Sequence, residues 1–378
     1  MTGALPDFGA IIVTVDTKDG VPVSARTRST RGPMVSKLLE GRQADESIPT
    51  LISMLYTLCP VAQSTAWRAA RAYAEGGPTS EDLAKWAAGV QLEAMIEHLR
   101  CLAFELPRSL DIESRSDAKL IGRLRTRVTG VSRLSQKELE ALRKDVADCA
   151  NELLYQTEDI PTLGDWRPTD QVETWVDSRS TVLRPVFSYL LTLPRELGRS
   201  SVPALSTASA AVRKDLAAHL TREGFCTAPS LTLGSAQTSA LGRRYESPAL
   251  MPEYLANGAG TFLYFYARLL ELGSWMQSFE EPEKLVSGFS PEPGVGIGFV
   301  ETARGTLIHR LRIENGKMIE STIVAPTEWN FAPGGAAEQA LSRLGVTNWD
   351  SWRTRAELVV RQFDACVPFR IETESANA

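Results

Sequence analysis

The chain has 378 residues, 43% of them hydrophobic, which is enough for one large core or two smaller ones. Its 41 basic side chains are outnumbered by 46 acidic ones and mixed among them, so nothing suggests a nucleic-acid surface. No apolar run reaches membrane-spanning length, and the opening segment, MTGALPDFGA, has no basic stretch leading into an apolar core and no twin-arginine signal, so the cytoplasm is the expected compartment.

Ala10–Val15 and Val21–Arg28 are strand-like runs around Asp19-Gly20, a hairpin signal. Arg26 to Arg31 is basic and ends in Arg31-Gly32-Pro33. Val35–Glu40 leads to Ile48–Leu58, apolar and helical in pattern. Cys59-Pro60 breaks that run, and Pro60 suits the first position of a new helix, Val61–Ala74, closed by Gly76-Gly77-Pro78. Cys59 then sits at a helix N-cap, where free N–H groups favour a thiolate, the form that binds metal. The alternative is a small buried hydrophobe, which free cysteine commonly is.

Thr79-Ser80-Glu81 caps a long helix, about Glu81–Glu105, with His98 expected in the core rather than as a ligand. Ser114–Arg133 has no firm pattern. Ser135-Gln136-Lys137-Glu138 reads as a capping box before a helix to about Tyr155. Asp170–Trp175 and Ser180–Leu193 are helical or mixed, and Leu197–Ser209 is a connection. Ala210–Glu223 is a helix with His219 expected on its exposed side. Phe225–Ser247 is poorly defined, Met251–Phe279 is one strongly apolar helix, and Glu280–Pro293 is a charged, Pro-rich linker.

The stretch from Gly296 to Pro333 carries the sharpest signal. Gly305–Ile313 and Lys317–Ala325 flank Asn315-Gly316, whose positive φ angles make a tight hairpin turn. Arg304-Gly305 opens the hairpin and Pro326-Thr327-Glu328-Trp329-Asn330 closes it. Pairing would bring a guanidinium, a hydroxyl and backbone N–H groups toward one small anion or polar ligand. A surface hairpin with an ordinary Arg and a Pro-Thr turn is the alternative. Pro333-Gly334-Gly335 turns into Ala336–Leu344, Asn348–Phe363 is a last helix, and Asp364-Ala365-Cys366-Val367-Pro368-Phe369 and a short polar tail follow. The five cysteines, Cys59, Cys101, Cys149, Cys226 and Cys366, are odd in number and far apart, with no CxxC or CxxH pair. A disulfide framework and a locally built zinc site are therefore not expected.

Taken together, these islands resemble the large subunit of nickel–iron hydrogenases, and most closely its accessory relatives, the HupK/HoxV family. The hydrogenase motif R-x-C-G-x-C-x-x-x-H corresponds to Met54–Gln63, where Cys59 keeps the second cysteine while Tyr56, Met54 and Gln63 replace the first cysteine, the arginine and the histidine. The motif D-P-C-x-x-C-x-x-H corresponds to Asp364–Glu372: Cys366 is kept, and Phe369 and Glu372 replace the second cysteine and the histidine. In R-G-x-E, Arg31-Gly32-Pro33-Met34 places Met34 where a proton-relay glutamate stands. The hairpin is better kept. E-A-P-R-G-x-L-x-H matches Glu301–His309, and P-[ST]-x-W-N matches Pro326–Asn330.

The resemblance implies an α+β fold, a mainly helical core with small antiparallel hairpins, as one shortened large-subunit-like domain over residues 1–378 with a poorly defined middle at about 114–247. It also implies that Arg304 and Pro326-Thr327 hold cyanide ligands of an iron, with Asp364 orienting Arg304. Cys59 is the principal thiolate, and Cys366 is a second ligand or a contact to the donor. Two thiolates suit an iron fragment carrying cyanide and carbonyl, not a nickel site of four sulfurs, so no nickel is expected. The implied role is a non-catalytic scaffold that receives this fragment and passes it on. Its partners would be a HypC-type chaperone, a HypD-type maturation protein and the hydrogenase large subunit precursor. No cleavable extension follows Cys366, which agrees. The alternative is a metal-free chaperone or adaptor that mimics the large subunit and binds maturation proteins or the small subunit. A redox enzyme with a degenerate nickel site is disfavoured by Tyr56, Phe369 and Met34 together.

Overall fold

The computed structural model describes residues 9–19, 21–114, 118–345 and 348–375. Two small sheets flank a core of helices. The first sheet contains β1 (Ile11–Lys18) and β2 (Val21–Ser29), antiparallel to each other. Their turn has Asp19 at φ 52°, and Gly20 of the expected turn pair lies outside the described residues.

The second sheet has four antiparallel strands in the order β3 (Val286–Glu292), β4 (Val295–Thr302), β5 (Gly305–Glu314) and β6 (Lys317–Val324). Asn315 and Gly316 take φ 50° and 75°, the left-handed pair a two-residue hairpin needs. The stretch read as a linker, Glu280–Pro293, is instead a short helix, Pro282–Leu285, followed by β3. Pro282 opens the helix, Pro291 lies on the edge strand β3 and Pro293 in the turn after it, places where a missing N–H costs little.

A seventh strand, β7 (Phe369–Ser375), occupies the segment expected to be a polar tail. It pairs parallel to β1, with Ile11 opposite both Ser29 and Phe369. The first sheet is therefore mixed, in the order β2-β1-β7. Parallel pairing leaves no local hairpin signal, and only tertiary structure reveals it.

The Pro60–Ala74 helix lies against β4 at backbone contact distance. A Cβ on Gly296 would stand 1.8 Å from the Ala70 carbonyl oxygen, and one on Gly298 would stand 2.6 Å from the Ala70 nitrogen and 2.7 Å from the Ala66 oxygen. Glycines facing alanines let the helix run antiparallel to β4 at this spacing. The helix N-terminus, at Cys59, therefore points toward the β4–β5 turn that carries Arg304.

Two long helices form the centre. Ser80–Arg100 begins with a Thr79–Asp82 capping box and continues as a π-helical turn, Cys101–Glu105. Thr261–Gln277 is buried on nearly all sides. The expected continuous helix from Met251 is broken: Met251–Asn257 ends at Gly258, whose φ is 77°, and the chain restarts at Thr261. Gly260 is required there, since a Cβ would lie 1.9 Å from the Arg195 carbonyl oxygen. His219, expected to be exposed, is 8% exposed, and its Nδ1–H donates to the Asp215 carbonyl at 2.8 Å. Among the described residues, no helix is long and apolar enough to cross a membrane. The fold is thus mixed, a helical core with two small sheets.

Candidate functional site

Cys366 lies between the end of the Trp349–Phe363 helix and the start of β7. Asp364 ends that helix in the left-handed region, φ 49°, turning the chain into the site. Cys366 Sγ accepts two hydrogen bonds, from Arg31 Nη1 at 3.0 Å and from the Thr327 hydroxyl at 3.1 Å. The Thr327 oxygen in turn accepts from the Cys366 backbone N–H at 3.2 Å. Sheet register explains the meeting. The C-terminal end of β2 and the N-terminal end of β7 flank the start of β1 at the same end of the sheet, so Arg31 and Cys366 are delivered to the same place.

Cys59 is the N-cap of the Pro60–Ala74 helix, as its sequence indicates. The further expectation, that free N–H groups there favour a thiolate, is not met. The buried Glu93 carboxylate accepts the Val61 N–H at 2.8 Å and the Ala62 N–H at 2.9 Å. Dense packing, Glu93 and Cys366 push the Cys59 thiol up to about 12, against the pull of Arg304 and Arg31. Burial likewise lifts Glu93 from 4.5 to about 8, despite its two backbone donors.

Arg304 sits in the β4–β5 turn, 3% exposed. Its Nη2 donates to Glu97 at 2.8 Å, and its Nε lies 3.4 Å from Asp364 Oδ2 without a hydrogen bond. Arg268 reaches the same Asp364 oxygen at 3.1 Å, and Arg100 holds Glu97 at 2.9 Å. Burial alone would raise Asp364, but Arg304, Arg268 and Arg100 hold it down at about 2. Glu97 is also held low, by Arg304 and Arg100 against burial. Three guanidiniums, those of Arg100, Arg268 and Arg304, thus meet three carboxylates, Glu97, Glu105 and Asp364, in a largely buried ion-pair network. The orphaned Arg304 Nε–H is a donor suited to a further anionic acceptor.

Pro326 and Thr327 open the short buried helix Pro326–Asn330. Its Asn330 amide ties it down, accepting from the Thr238 N–H and donating to the Thr238 carbonyl, at 2.9 and 2.8 Å. Glu328 is 3% exposed, and both its oxygens lack hydrogen-bond partners. Its nearest cation is Arg31, at 3.7 Å.

The six expected site residues thus come together from four segments of the chain. Arg304, Asp364, Thr327 and Cys366 are linked by contacts, Cys59 is close enough for Cys366 and Arg304 to act on its thiol, and Pro326 supports Thr327. Residues at the changed motif positions have other duties. Tyr56 lies under the Arg31 guanidinium, 5.6 Å from its ring centre. Gln63 accepts from His309 Nε2 at 2.8 Å, and burial keeps His309 neutral by lowering it to about 3. Phe369 stacks with Arg361 at 5.6 Å, Met34 is 46% exposed, and Glu372 is exposed on β7. Among the described residues, no three His, Cys, Asp or Glu side chains cluster as metal ligands.

Sequence reasoning missed Arg31 as a donor to Cys366, and it missed Glu93, Glu97, Arg268 and Glu328 altogether. A signal existed for Glu93 and Glu97: two carboxylates four apart inside an apolar helical run share one buried face. Arg31 stands at the arginine of the R-G-x-E match, which marks the position but not its contact with Cys366, Glu328 fills the variable position of P-[ST]-x-W-N, and no local pattern distinguishes Arg268.

Residues 238–368, which carry Arg304, Pro326, Thr327, Asp364 and Cys366, match the family described as nickel-dependent hydrogenase. The hydrogenase expression/formation protein HupK of Rhizobium leguminosarum bv. viciae is 29% identical, over 97% of this chain and 97% of its own. The hydrogenase expression/formation protein HoxV of Cupriavidus necator is 25% identical, over 90% of this chain and 91% of its own. Among solved structures, an NAD+-reducing NiFe-hydrogenase in the H2-reduced state superposes with a TM-score of 0.58 at 15% identity, covering 93% of this chain and 94% of that chain.

Proposed function

Because the chain belongs to the HupK/HoxV family of hydrogenase expression/formation proteins, we propose that it is a non-catalytic scaffold for assembling the nickel–iron hydrogenase active site. It holds an iron carrying cyanide and carbonyl ligands and passes it to the large subunit precursor. A role in hydrogenase maturation follows from the family; the cargo and its handling are the proposal.

One observation supports it: Thr327 contacts Cys366, and Cys59 lies within electrostatic reach of Cys366 and Arg304, while the positions matching the two missing cysteines hold Tyr56 and Phe369, each under a guanidinium. In this reading Cys59 and Cys366 supply sulfur to the iron, and Arg304 donates from its free Nε–H to one cyanide nitrogen. Pro326-Thr327 faces the other. Asp364 and Glu97 hold the guanidinium in place, as outer carboxylates commonly do. Loading at Cys59 displaces a proton, since its thiol is held high. That cost weakens the grip on the metal, which suits a carrier that must release its load. The HypC-type and HypD-type proteins are the proposed donors.

The test is infrared spectroscopy of protein purified without oxygen from its own host, with iron and nickel counted on the same sample. Cyanide and carbonyl bands with iron and without nickel are expected, and they should be lost in Cys59→Ser. Dye-coupled hydrogen turnover should be nil.

A second reading is a metal-free adaptor that mimics the large subunit. It is favoured by the resting engagement of the Thr327 hydroxyl with Cys366 and of Arg304 with Glu97. Absence of the bands in a maturation-competent strain, with full maturation by Cys59→Ser, would select it.

A further inference from the structure

A cavity of about 690 Å³ opens beside Cys366, between β7 and the helices Trp349–Phe363 and Ser80–Arg100. Its apolar wall includes Leu106, Phe265 and Phe369. Four arginines line it, with unequal commitments. Arg100 pairs with Glu97 and Glu105, and Arg353 pairs with Glu357 at 3.2 Å. Neither Arg361 nor Arg370 makes an ion pair among the described residues, and Arg361 Nε is buried with no hydrogen-bond partner. Arg361 is held in the wall by stacking on Phe369 at 5.6 Å. The carboxylates lining the cavity, Glu105, Glu357 and Asp364, are each already engaged by a guanidinium. The wall facing an incoming ligand is therefore positive by two uncommitted guanidiniums, and Cys366 lies at the same wall.

We propose that this cavity is an antechamber for a small anionic metal complex, captured by Arg361 and Arg370 before transfer to Cys366. The proposal rests on the scaffold reading for the identity of the cargo, a cyanide-bearing iron, but its physical basis is the cavity alone. Guanidiniums donate well to the outward nitrogens of metal-bound cyanide, and the apolar wall beside them strengthens such bonds by lowering the local dielectric. Phe369, which stands where the resemblance has a second cysteine, thereby serves as the platform that orients Arg361.

The test uses the purified full chain without metal and hexacyanoferrate(II) as probe, with sulfate at matched ionic strength as control. Two readouts are taken. One is binding by calorimetry, and the other is the rate of N-ethylmaleimide alkylation at Cys366, followed by mass spectrometry. Hexacyanoferrate(II) should bind and slow alkylation, and sulfate should do so far less. Arg361→Gln and Arg370→Gln should each weaken binding about tenfold, while leaving alkylation without probe unchanged. Arg361→Lys should restore part of the loss. Equal binding by the Arg361→Gln/Arg370→Gln double variant overturns the proposal, and so does equal protection by sulfate. Protection by a hexaglutamate peptide but not by hexacyanoferrate(II) also overturns it, assigning the cavity to a polypeptide. The measurement does not depend on what the protein carries in its host, so a failed scaffold reading and a failed antechamber give different results.

Discussion

The Arg31 guanidinium donates to the Cys366 sulfur at 3.0 Å across 335 positions of sequence. The same side chain is the nearest cation to Glu328, whose carboxylate is buried with neither oxygen hydrogen-bonded. Arg31 therefore neutralises a buried carboxyl and holds a thiol at once.

Removing Arg31 should expose both debts. Arg31→Met is expected to destabilise the protein by roughly 1–3 kcal/mol, the cost of stranding a buried polar group. Adding Glu328→Gln should recover part of that loss. Urea unfolding of the two single variants and the double variant measures the coupling. Additive losses would show that Arg31 and Glu328 do not interact.

Arg304 is braced more tightly, between Glu97 and Asp364. Arg304→Met leaves two buried carboxylates with fewer cations and should cost roughly 3–5 kcal/mol. Arg304→Lys keeps the charge but loses the planar fork. It should fold better than Arg304→Met yet bind iron-cyanide less well, read by unfolding and by infrared bands on the same preparations.

Glu93 sets a pH dependence whose direction can be worked out. Burial lifts its folded pKa from 4.5 to about 8, so between those values the folded state holds a proton that the unfolded state has lost. That contribution is complete below about pH 4.5 and is lost as pH rises through about 8. Stability should decline across this window, and Glu93→Gln should flatten the decline, although it also gives up one of two acceptors for the Val61 and Ala62 N–H groups. Asp364 acts oppositely. Its folded pKa lies at about 2, below the ordinary 3.8, so its contribution is present above 3.8 and is lost as pH falls toward 2. Denaturant midpoints at several pH values test both, and an unchanged slope in Glu93→Gln would refute the assignment.

Gly298→Ala places a methyl 2.6 Å from the Ala70 nitrogen, so the Pro60–Ala74 helix must move off β4. Overpacking of this kind costs roughly 1–3 kcal/mol. Because that helix carries Cys59 at its N-terminus, the variant should also alter alkylation of Cys59 at high pH, compared with wild type by mass spectrometry.

Features with local causes were legible in the sequence. Asn315-Gly316 announces its turn, Ser135 and Glu138 form the capping box their spacing indicates, and Cys59-Pro60 marks a helix start. Features that depend on distant partners were not. β7 reads as a polar tail because only one neighbour, β1, shapes it, and β3 reads as a linker because Pro291 within it and the prolines on either side mimic a loop, which an edge strand tolerates. The candidate site divides the same way. Arg304, Thr327, Cys59 and Cys366 stand in short motifs, whereas Glu93 and Glu97 gain their meaning only from what they touch, and Arg31 stands in a motif that does not announce its bond to Cys366. The helix N-terminus was a sound clue to where Cys59 lies and a poor one to its protonation, since a carboxylate from another helix had already taken the N–H groups.

The parallel pairing of β1 with β7 also sets a timetable. Ile11 leaves the ribosome long before its neighbour Phe369. Until then Cys366 has no Arg31 beside it and Thr327 has no sulfur to meet. The nascent chain can fold its helices and the β3–β6 sheet from nearer contacts, but the long closure between its ends comes last. The thiols therefore come together only after the β1–β7 pairing has formed, so under the scaffold proposal a shorter nascent chain would lack the two-sulfur site.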